Sequence, residues 1–524
     1  MNMEKFLSRL CLAAFLFGLL YRLHPFVMDD ARIARFFVTE DGYLMLTVAR
    51  NLAIGNGLSV AGGEIATNGV QPLATFLFAL PYMLTGGDKI LGIAGVLAIS
   101  AFVAVLGAWA IRRFAAAALA RQDQAAVWPL LVAALWFVGP LPLLHTMNAL
   151  ETGLYTLILV VAALRFGTLL ERGGIFPMAD RITFGALLGL VFLARNDGAF
   201  FVVSVLLVRF VQAQAKGGLS FRQALAEALP AGLVSLVVAA PWLAYNKIGF
   251  GAFVPISGQS QSIAAGFGSN LGLAPLKFFE TMFPMLPIPT ALEGSAAANA
   301  LLGLVAAVIL AAFLWGAIRR GGTFWAVLAA YALHAVLVFG YYGLFFGAPW
   351  FLSRYFAPLA PLLITAAVSV GLDLARRLRG AEAPPLAAGA GIGALVLSLL
   401  LSARLLLPGQ HVHEHFQVVD WVEAHVAPET WMGAVQTGTL GYWHDRTINL
   451  DGKVNPAALA ALRAKGDVLD YVVDSPIQYL ADWTGLAEWV MRNNRRFSQA
   501  FEVELDAPDR NLSVLRRRSG PPPL

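Results

Sequence analysis

The chain has 524 residues, 58% of them hydrophobic and 13% charged, with a mean hydropathy of +0.69. A soluble protein of this size would carry about 25% charged residues, so the composition excludes a wholly soluble chain and marks an integral membrane protein. The net charge of +5 is then read as Lys and Arg sorted to one side of a bilayer, and no nucleic-acid partner is expected.

A membrane span needs about 20 apolar residues. The first candidate span, roughly 4–22, carries Lys5 and Arg9 ahead of its apolar stretch and holds the single cysteine, Cys11, so no intrachain disulfide is possible. It resembles a signal sequence, but Tyr21-Arg22-Leu23 is not a small-residue cleavage site. It is read as an uncleaved first helix. Residues 23–88 are a polar loop. Asp29-Asp30 reads as its solvated start, and Thr39-Glu40-Asp41-Gly42-Tyr43 brings adjacent carboxylates next to the bilayer. Carboxylates there are expensive and suggest a site. Gly55, Gly57 and Gly69 read as tight turns. Residues 73–86, marked by Pro72, Pro81 and Gly86-Gly87, are read as an interfacial or re-entrant helix rather than a span.

Further spans are expected at roughly 89–111, 126–144, 152–169, 182–195, 198–214, 228–246, 299–318, 323–342, 356–375 and 386–407, about eleven in all. With 73–86 not spanning, Lys5/Arg9, Arg112/Arg113/Arg121, Arg165/Arg172/Arg181, Lys216/Arg222, Arg319/Arg320 and Arg376/Arg377/Arg379 share one side. The positive-inside rule makes that side, and the N-terminus, cytoplasmic. The division is a transmembrane domain, 1–407, and an extracytoplasmic domain, 408–524. In the tail, short apolar runs at 431–435, 447–450, 470–473 and 501–505 alternate with helical patterns at 415–425 and 456–464. That predicts a small α/β domain. Residues 517–524 read as a frayed end.

The distinctive polar clusters fall on the outer face: Glu40/Asp41, then 145–153 with His145 and Glu151, then Arg195-Asn196-Asp197, then Ser353-Arg354-Tyr355. Acids and arginines gathered at one membrane surface suit a lipid-phosphate substrate. Arginines would hold the phosphate by charge-assisted hydrogen bonds, and a carboxylate would take a proton from an acceptor hydroxyl. Each has a structural alternative. Asp41 could be a helix N-cap, Glu151 could serve a helix dipole, and Arg195 could anchor a span end by snorkelling. No cofactor is assigned. A divalent cation is the candidate, with Asp41, Glu151 and His145 as the side chains that could ligate it. His411, His413 and His415 alternate and offer a weaker metal reading. Tyr341, Tyr342, Trp350 and Phe351 read as an interfacial aromatic belt, with sugar stacking the alternative.

These motifs resemble a family. Glu40-Asp41-Gly42-Tyr43, Ala49-Arg50-Asn51, Gly55-Asn56-Gly57 and Thr67-Asn68-Gly69-Val70-Gln71-Pro72-Leu73 resemble the first outer loop of GT-C glycosyltransferases. The nearest likeness is to the bacterial group around the mycobacterial terminal arabinofuranosyltransferase. Asn148-Ala149-Leu150-Glu151-Thr152, Leu193-Ala194-Arg195-Asn196-Asp197-Gly198, Arg354-Tyr355 before Pro358, and residues 438–455 resemble that group's later motifs in order. The family's Asp-Asp is Glu40-Asp41 here, and its Pro is Asn196.

The resemblance implies a polytopic α-helical GT-C-like membrane protein with a small C-terminal α/β domain. It implies transfer of a monosaccharide, arabinofuranose among the candidates, from a polyprenyl-phosphate donor. The acceptor would be an extracytoplasmic glycan, lipid or protein of the cell envelope of a bacterial inner membrane. Asp41 takes the place of the family's second acid and becomes the general base, with Glu40 assisting. Tyr43, Arg50 and Tyr355 join Arg195, Arg354 and Glu151 as donor-phosphate or substrate-binding candidates. The tail is expected to position the acceptor and to contribute no chemistry. Two alternatives stand: a transporter or flippase of a lipid-linked or anionic substrate, and a ligase moving a whole glycan. A transporter should carry repeats and mid-membrane charges, and neither is evident in the sequence.

Overall fold

The computed structural model describes residues 3–123, 125–215, 218–263, 265–286, 288, 290–380, 383–406 and 415–518. Among them nine helices are long and apolar enough to cross a membrane, and a tenth unit is the pair Val127–Val138 and Pro140–Met147. That pair bends by 60° because Gly139 is extended and Pro140 has no N–H to continue the ladder. The buried Arg22 donates to the Phe137 carbonyl at this break and to Thr146 Oγ1 (3.0 and 3.2 Å). The helix Met178–Ala194, seventeen residues, stands where a further span was expected at 182–195 but is shorter than those helices. It packs between its neighbours Thr152–Arg172 and Phe221–Phe250. Pro72–Leu84 is a thirteen-residue helix. At 1.5 Å per residue it reaches about 20 Å, too short for a hydrocarbon core of about 30 Å.

The two ends of the bundle differ in chemistry. Lys89 Nζ donates to the Trp443 carbonyl of the tail at 3.0 Å, so the helix Lys89–Leu119 starts at the tail end and runs away from it. At the far end Arg121 donates to the Arg320 carbonyl, Arg320 pairs with Asp373 and Arg376 with Asp123. Arg165 and Arg172 share Asp180. The expected arginine clusters therefore gather away from the tail.

At the tail end, the hairpin β1 (Ser59–Val60) and β2 (Ile65–Ala66) rises from the first loop. Gly55 and Gly57 take positive φ as expected of turns. Asp29 is not merely solvated: its side chain accepts from Arg32 N and caps a short helix, Asp30–Arg35.

The C-terminal domain is a five-stranded mixed sheet of β3 (Met432–Ala434), β4 (Thr447–Asn449), β5 (Tyr479–Asp482), β6 (Phe501–Ala507) and β7 (Leu512–Arg517), in order β4-β3-β5-β7-β6. β3 pairs parallel with β4 and β5, while β7 is antiparallel to β5 and β6. Helices Phe416–His425 and Pro456–Lys465 match expectation. The expected strand at 470–473 is instead a helix, Leu469–Asp474. Asp467 accepts from Leu469 N at its start, and Leu469 and Val472 bury one face at helical spacing. Residues 519–524, most of the expected frayed end, lie outside the described residues.

Candidate active site

The site is built on the helix Glu40–Ala53. Thr39 is extended and its hydroxyl accepts from Gly42 N at 3.3 Å, so Thr39 is the cap and Asp41 is not. Both acids then sit in the first turn, where the helix dipole favours negative charge. Adjacent helical residues point about 100° apart, and the two acids separate accordingly. Glu40 faces the tail. Its carboxylate accepts from Gly438 N, from Thr439 N at 2.8 Å and from Thr439 Oγ1 at 2.5 Å. Both its oxygens are committed to the C-terminal domain. Gly42 leaves no room for a substrate, because a Cβ there would collide with the Asn148 carbonyl.

Asp41 lines a cavity of about 600 Å³ between the bundle and the tail, and Glu40 lines it too. Arg354 Nη1 lies 2.7 Å from its Oδ2, and Lys453 Nζ lies 3.8 Å from its Oδ1. Burial pushes the carboxyl up, but the two cations outweigh it and hold Asp41 below its ordinary value. Lys453 also pairs with Asp451 at 3.0 Å. Lys453 reaches the site because Gly69 admits it: a Cβ at Gly69 would overlap the Lys453 carbonyl. Gly69 has no positive φ, so it serves close approach rather than a turn.

Other walls of the cavity come from Asn148, His145, Trp350 and Phe351 of the bundle and from Gln436 and Trp483 of the tail. Amide and aromatic groups mixed this way suit a sugar, whose hydroxyls need hydrogen bonds and whose C–H faces stack on rings. A cavity of about 70 Å³ adjoins it, shared by Asp41, Arg354, Lys453, Glu151 and Tyr355. A third cavity, about 610 Å³ among the helices Val127–Val138, Ala360–Arg379 and Ala383–Arg404, is lined by apolar side chains and offers no acid–base group.

The remaining sequence candidates divide. Glu151 occupies the cap position of Thr152–Arg172 without a side-chain cap bond, is 4% exposed, and lines the small cavity. Tyr355 lines it too and stacks on Tyr342 at 4.0 Å. Arg195 is neither a snorkelling anchor nor a wall of either cavity. It is 2% exposed, bonds Asp197 through two nitrogens (2.8 and 2.7 Å), and donates to the Tyr355 carbonyl at 3.0 Å. Asp197 in turn accepts from Tyr342 at 2.9 Å. Tyr43 is a core residue whose hydroxyl donates to the Ala34 carbonyl at 2.6 Å. Arg50 is spent on the Gly87 carbonyl and on Asp445 of the tail (2.7 and 3.5 Å). Neither reaches the cavity.

No group of three or more His, Cys, Asp or Glu side chains is arranged for a metal ion among the described residues. Of the named cation ligands, Asp41 faces two cations and lines both cavities, His145 lines the larger and Glu151 the smaller. His411 and His413 lie outside the described residues. His415 Nε2 donates to the Gln436 carbonyl at 3.0 Å, beside Asp482. The Asp482 carboxylate accepts from Val435 N and Gln436 N (2.6 and 3.0 Å), holding the segment that brings Gln436 to the cavity. Burial pushes its pKa up, against the pull of His415 and these amides.

Lys453, Gln436 and Trp483 are the site residues that the sequence reading passed over. The signal available was a lysine directly after Asp451-Gly452, inside the motif-like stretch 438–455.

Residues 407–509 match a family described as "Domain of unknown function (DUF8728)". No curated protein matches the sequence. Among solved structures, the chain is similar to ArnT from Cupriavidus metallidurans bound to undecaprenyl phosphate, with 14% identity, a TM-score of 0.57 and 99% of each chain covered. The apo state of that protein gives 13% identity, a TM-score of 0.58 and 97% of each chain. The archaeal oligosaccharyltransferase AglB from Archaeoglobus fulgidus, in complex with an inhibitory peptide and a dolichol-phosphate, gives 15% identity and a TM-score of 0.54, over 91% of this chain and 69% of that one. At these identities the likeness establishes the fold alone: a helical membrane bundle like those of ArnT and AglB, carrying a small C-terminal sheet domain.

Proposed function

We propose that the protein is a membrane glycosyltransferase that takes a sugar from a polyprenyl-phosphate donor. The observation that carries this reading is the ionised Asp41, set against Arg354 and Lys453 in a sugar-sized cavity at the junction of bundle and tail. The shared fold with a protein solved with undecaprenyl phosphate supports it. In the reaction, the acceptor hydroxyl gives its proton to Asp41 as its oxygen attacks the anomeric carbon. The bond from that carbon to the phosphate oxygen breaks with inversion. The lipid phosphate leaves as an anion, held by Arg354 and needing no strong general acid. Arg195 braces the backbone of Arg354 and Tyr355 instead of touching phosphate. The gathering of the arginines at the far end supports a cytoplasmic N-terminus in a bacterial inner membrane, with the tail extracytoplasmic and facing a cell-envelope glycan, lipid or protein acceptor.

The test is purified protein incubated with a panel of polyprenyl-phosphate monosaccharides, arabinofuranose included, and with a diphosphate-linked glycan. Release of the lipid carrier and transfer of sugar are scored. Asp41→Asn should bind a productive donor yet lose turnover by about 10²–10⁴-fold. Turnover with the diphosphate-linked glycan alone would make the protein a ligase. Near-normal turnover of Asp41→Asn would refute the assignment of the base.

A further inference from the structure

We propose that Lys453, delivered by the C-terminal domain, forms with Arg354 a two-cation cradle for the donor phosphate, and that Asp41 occupies this cradle until the donor displaces it and frees the base. The inference rests on the transferase reading and adds to it a residue, a domain and an order of events.

Geometry carries it. Arg354 and Lys453 both line the cavity, one from the bundle and one from the tail, and meet at Asp41. Neither cation is saturated. Arg354 spends Nη1 on Asp41 and Nη2 on the Tyr355 hydroxyl, while its buried Nε has no hydrogen-bond partner. A guanidinium offers five N–H donors in a planar fork suited to phosphate. Lys453 lies 3.0 Å from Asp451, but its 3.8 Å approach to Asp41 is too long for a hydrogen bond. That contact is electrostatic, and an ammonium has three donors to give. Phe351 lies beneath both cations, 4.5 Å from the guanidinium and 5.5 Å from the ammonium, and keeps them side by side. Two part-buried cations with donors to spare, converging on one carboxylate, form an anion site of which Asp41 satisfies only a part.

A consequence follows for the chemistry. With the cradle closed on Asp41, the two cations keep the carboxylate a weak base. A donor phosphate that draws both cations to itself leaves Asp41 with burial as the dominant influence, which strengthens it as a base. The acceptor hydroxyl would then meet an effective base after the donor is seated.

The experiment measures binding of undecaprenyl phosphate, without sugar, to the full-length protein in detergent. Undecaprenol and inorganic phosphate are the control arms. Lys453→Met should weaken binding by about tenfold or more, the loss of one charge-assisted contact, and Lys453→Arg should restore most of it. Asp41→Asn should bind the lipid phosphate several-fold tighter than the native chain, because the competing anion is gone. A residue that only stabilised the fold would not produce that gain. Native affinity in Lys453→Met, or unchanged or weaker affinity in Asp41→Asn, overturns the cradle and leaves the transferase reading standing. Inorganic phosphate binding as tightly as the lipid overturns the lipid-phosphate assignment. Failure of the native chain to bind undecaprenyl phosphate at all overturns the transferase reading itself.

Discussion

Replacing Glu40 with Gln separates a latch from a catalytic group. The carboxylate receives three hydrogen bonds from two consecutive tail residues, Gly438 N, Thr439 N and Thr439 Oγ1. Gln keeps one acceptor oxygen and turns an NH₂ toward donors that need an acceptor, so at least one bond is lost. A hydrogen bond to a charged group contributes about 1.5–3 kcal/mol, which is roughly ten- to a hundredfold in the ratio of docked to undocked tail. The expected result is faster hydrogen–deuterium exchange in the helix Gly438–Trp443, with turnover falling because Lys453 is withdrawn from Asp41. Thr439→Val removes one bond from the other side. In a double-mutant cycle it should couple to Glu40→Gln, since the two share a contact. If exchange at 438–443 stays native in Glu40→Gln while turnover collapses, Glu40 takes part in the chemistry and the latch is wrong.

Asp197→Asn removes half of a buried ion pair and should lower stability by about 3–5 kcal/mol, read by denaturant unfolding in detergent. Arg354→Gln should weaken donor binding with little change in melting, and a donor-selective loss in Asp197→Asn would contradict the bracing role of Arg195. Asp482 binds its proton more tightly in the folded state than its ordinary value of 3.8 implies. Its protonation therefore favours folding fully below that value, and the contribution is lost as pH rises through the raised folded pKa. The stability of Asp482→Asn relative to the native chain should rise with pH across that window, and a flat difference would dismiss the assignment. After removal of Cys11, single cysteines at 113 and 320 should label from one side of the membrane and one at 425 from the other. Labelling of all three from one side would break the proposed sidedness.

The bundle was legible because long apolar runs leave few alternatives in a bilayer, and Pro72, Pro81 and Gly86-Gly87 marked a segment too short to cross. The tail was less so. Leu469–Asp474 and Tyr479–Asp482 are short apolar runs of similar composition, and one is a helix while the other is a central strand. Periodicity cannot separate runs of that length. In the site, Asp41 and Arg354 stood out as charges at the ends of apolar runs. Arg195 looked the same, but its partner Asp197 is two residues away, and only the fold reveals that the pair closes on itself. Lys453 was not legible, because its meeting with Asp41 depends on the packing of two domains.

The acidic pair divides its work between these domains. Neighbouring positions on a helix point about 100° apart; both acids line the cavity, but Glu40 spends its oxygens on the tail while Asp41 meets the two cations. Glu40 fastens the tail, Tyr82 meets Tyr442 at 2.8 Å beside it, and Gly69 admits Lys453 on the far side of Asp41. The tail was expected to place the acceptor and do nothing more. With Lys453 next to Asp41, it supplies a charge to the site itself. A chain ending before the tail should therefore lose donor binding together with transfer, and slow donor hydrolysis should not survive as a residual activity.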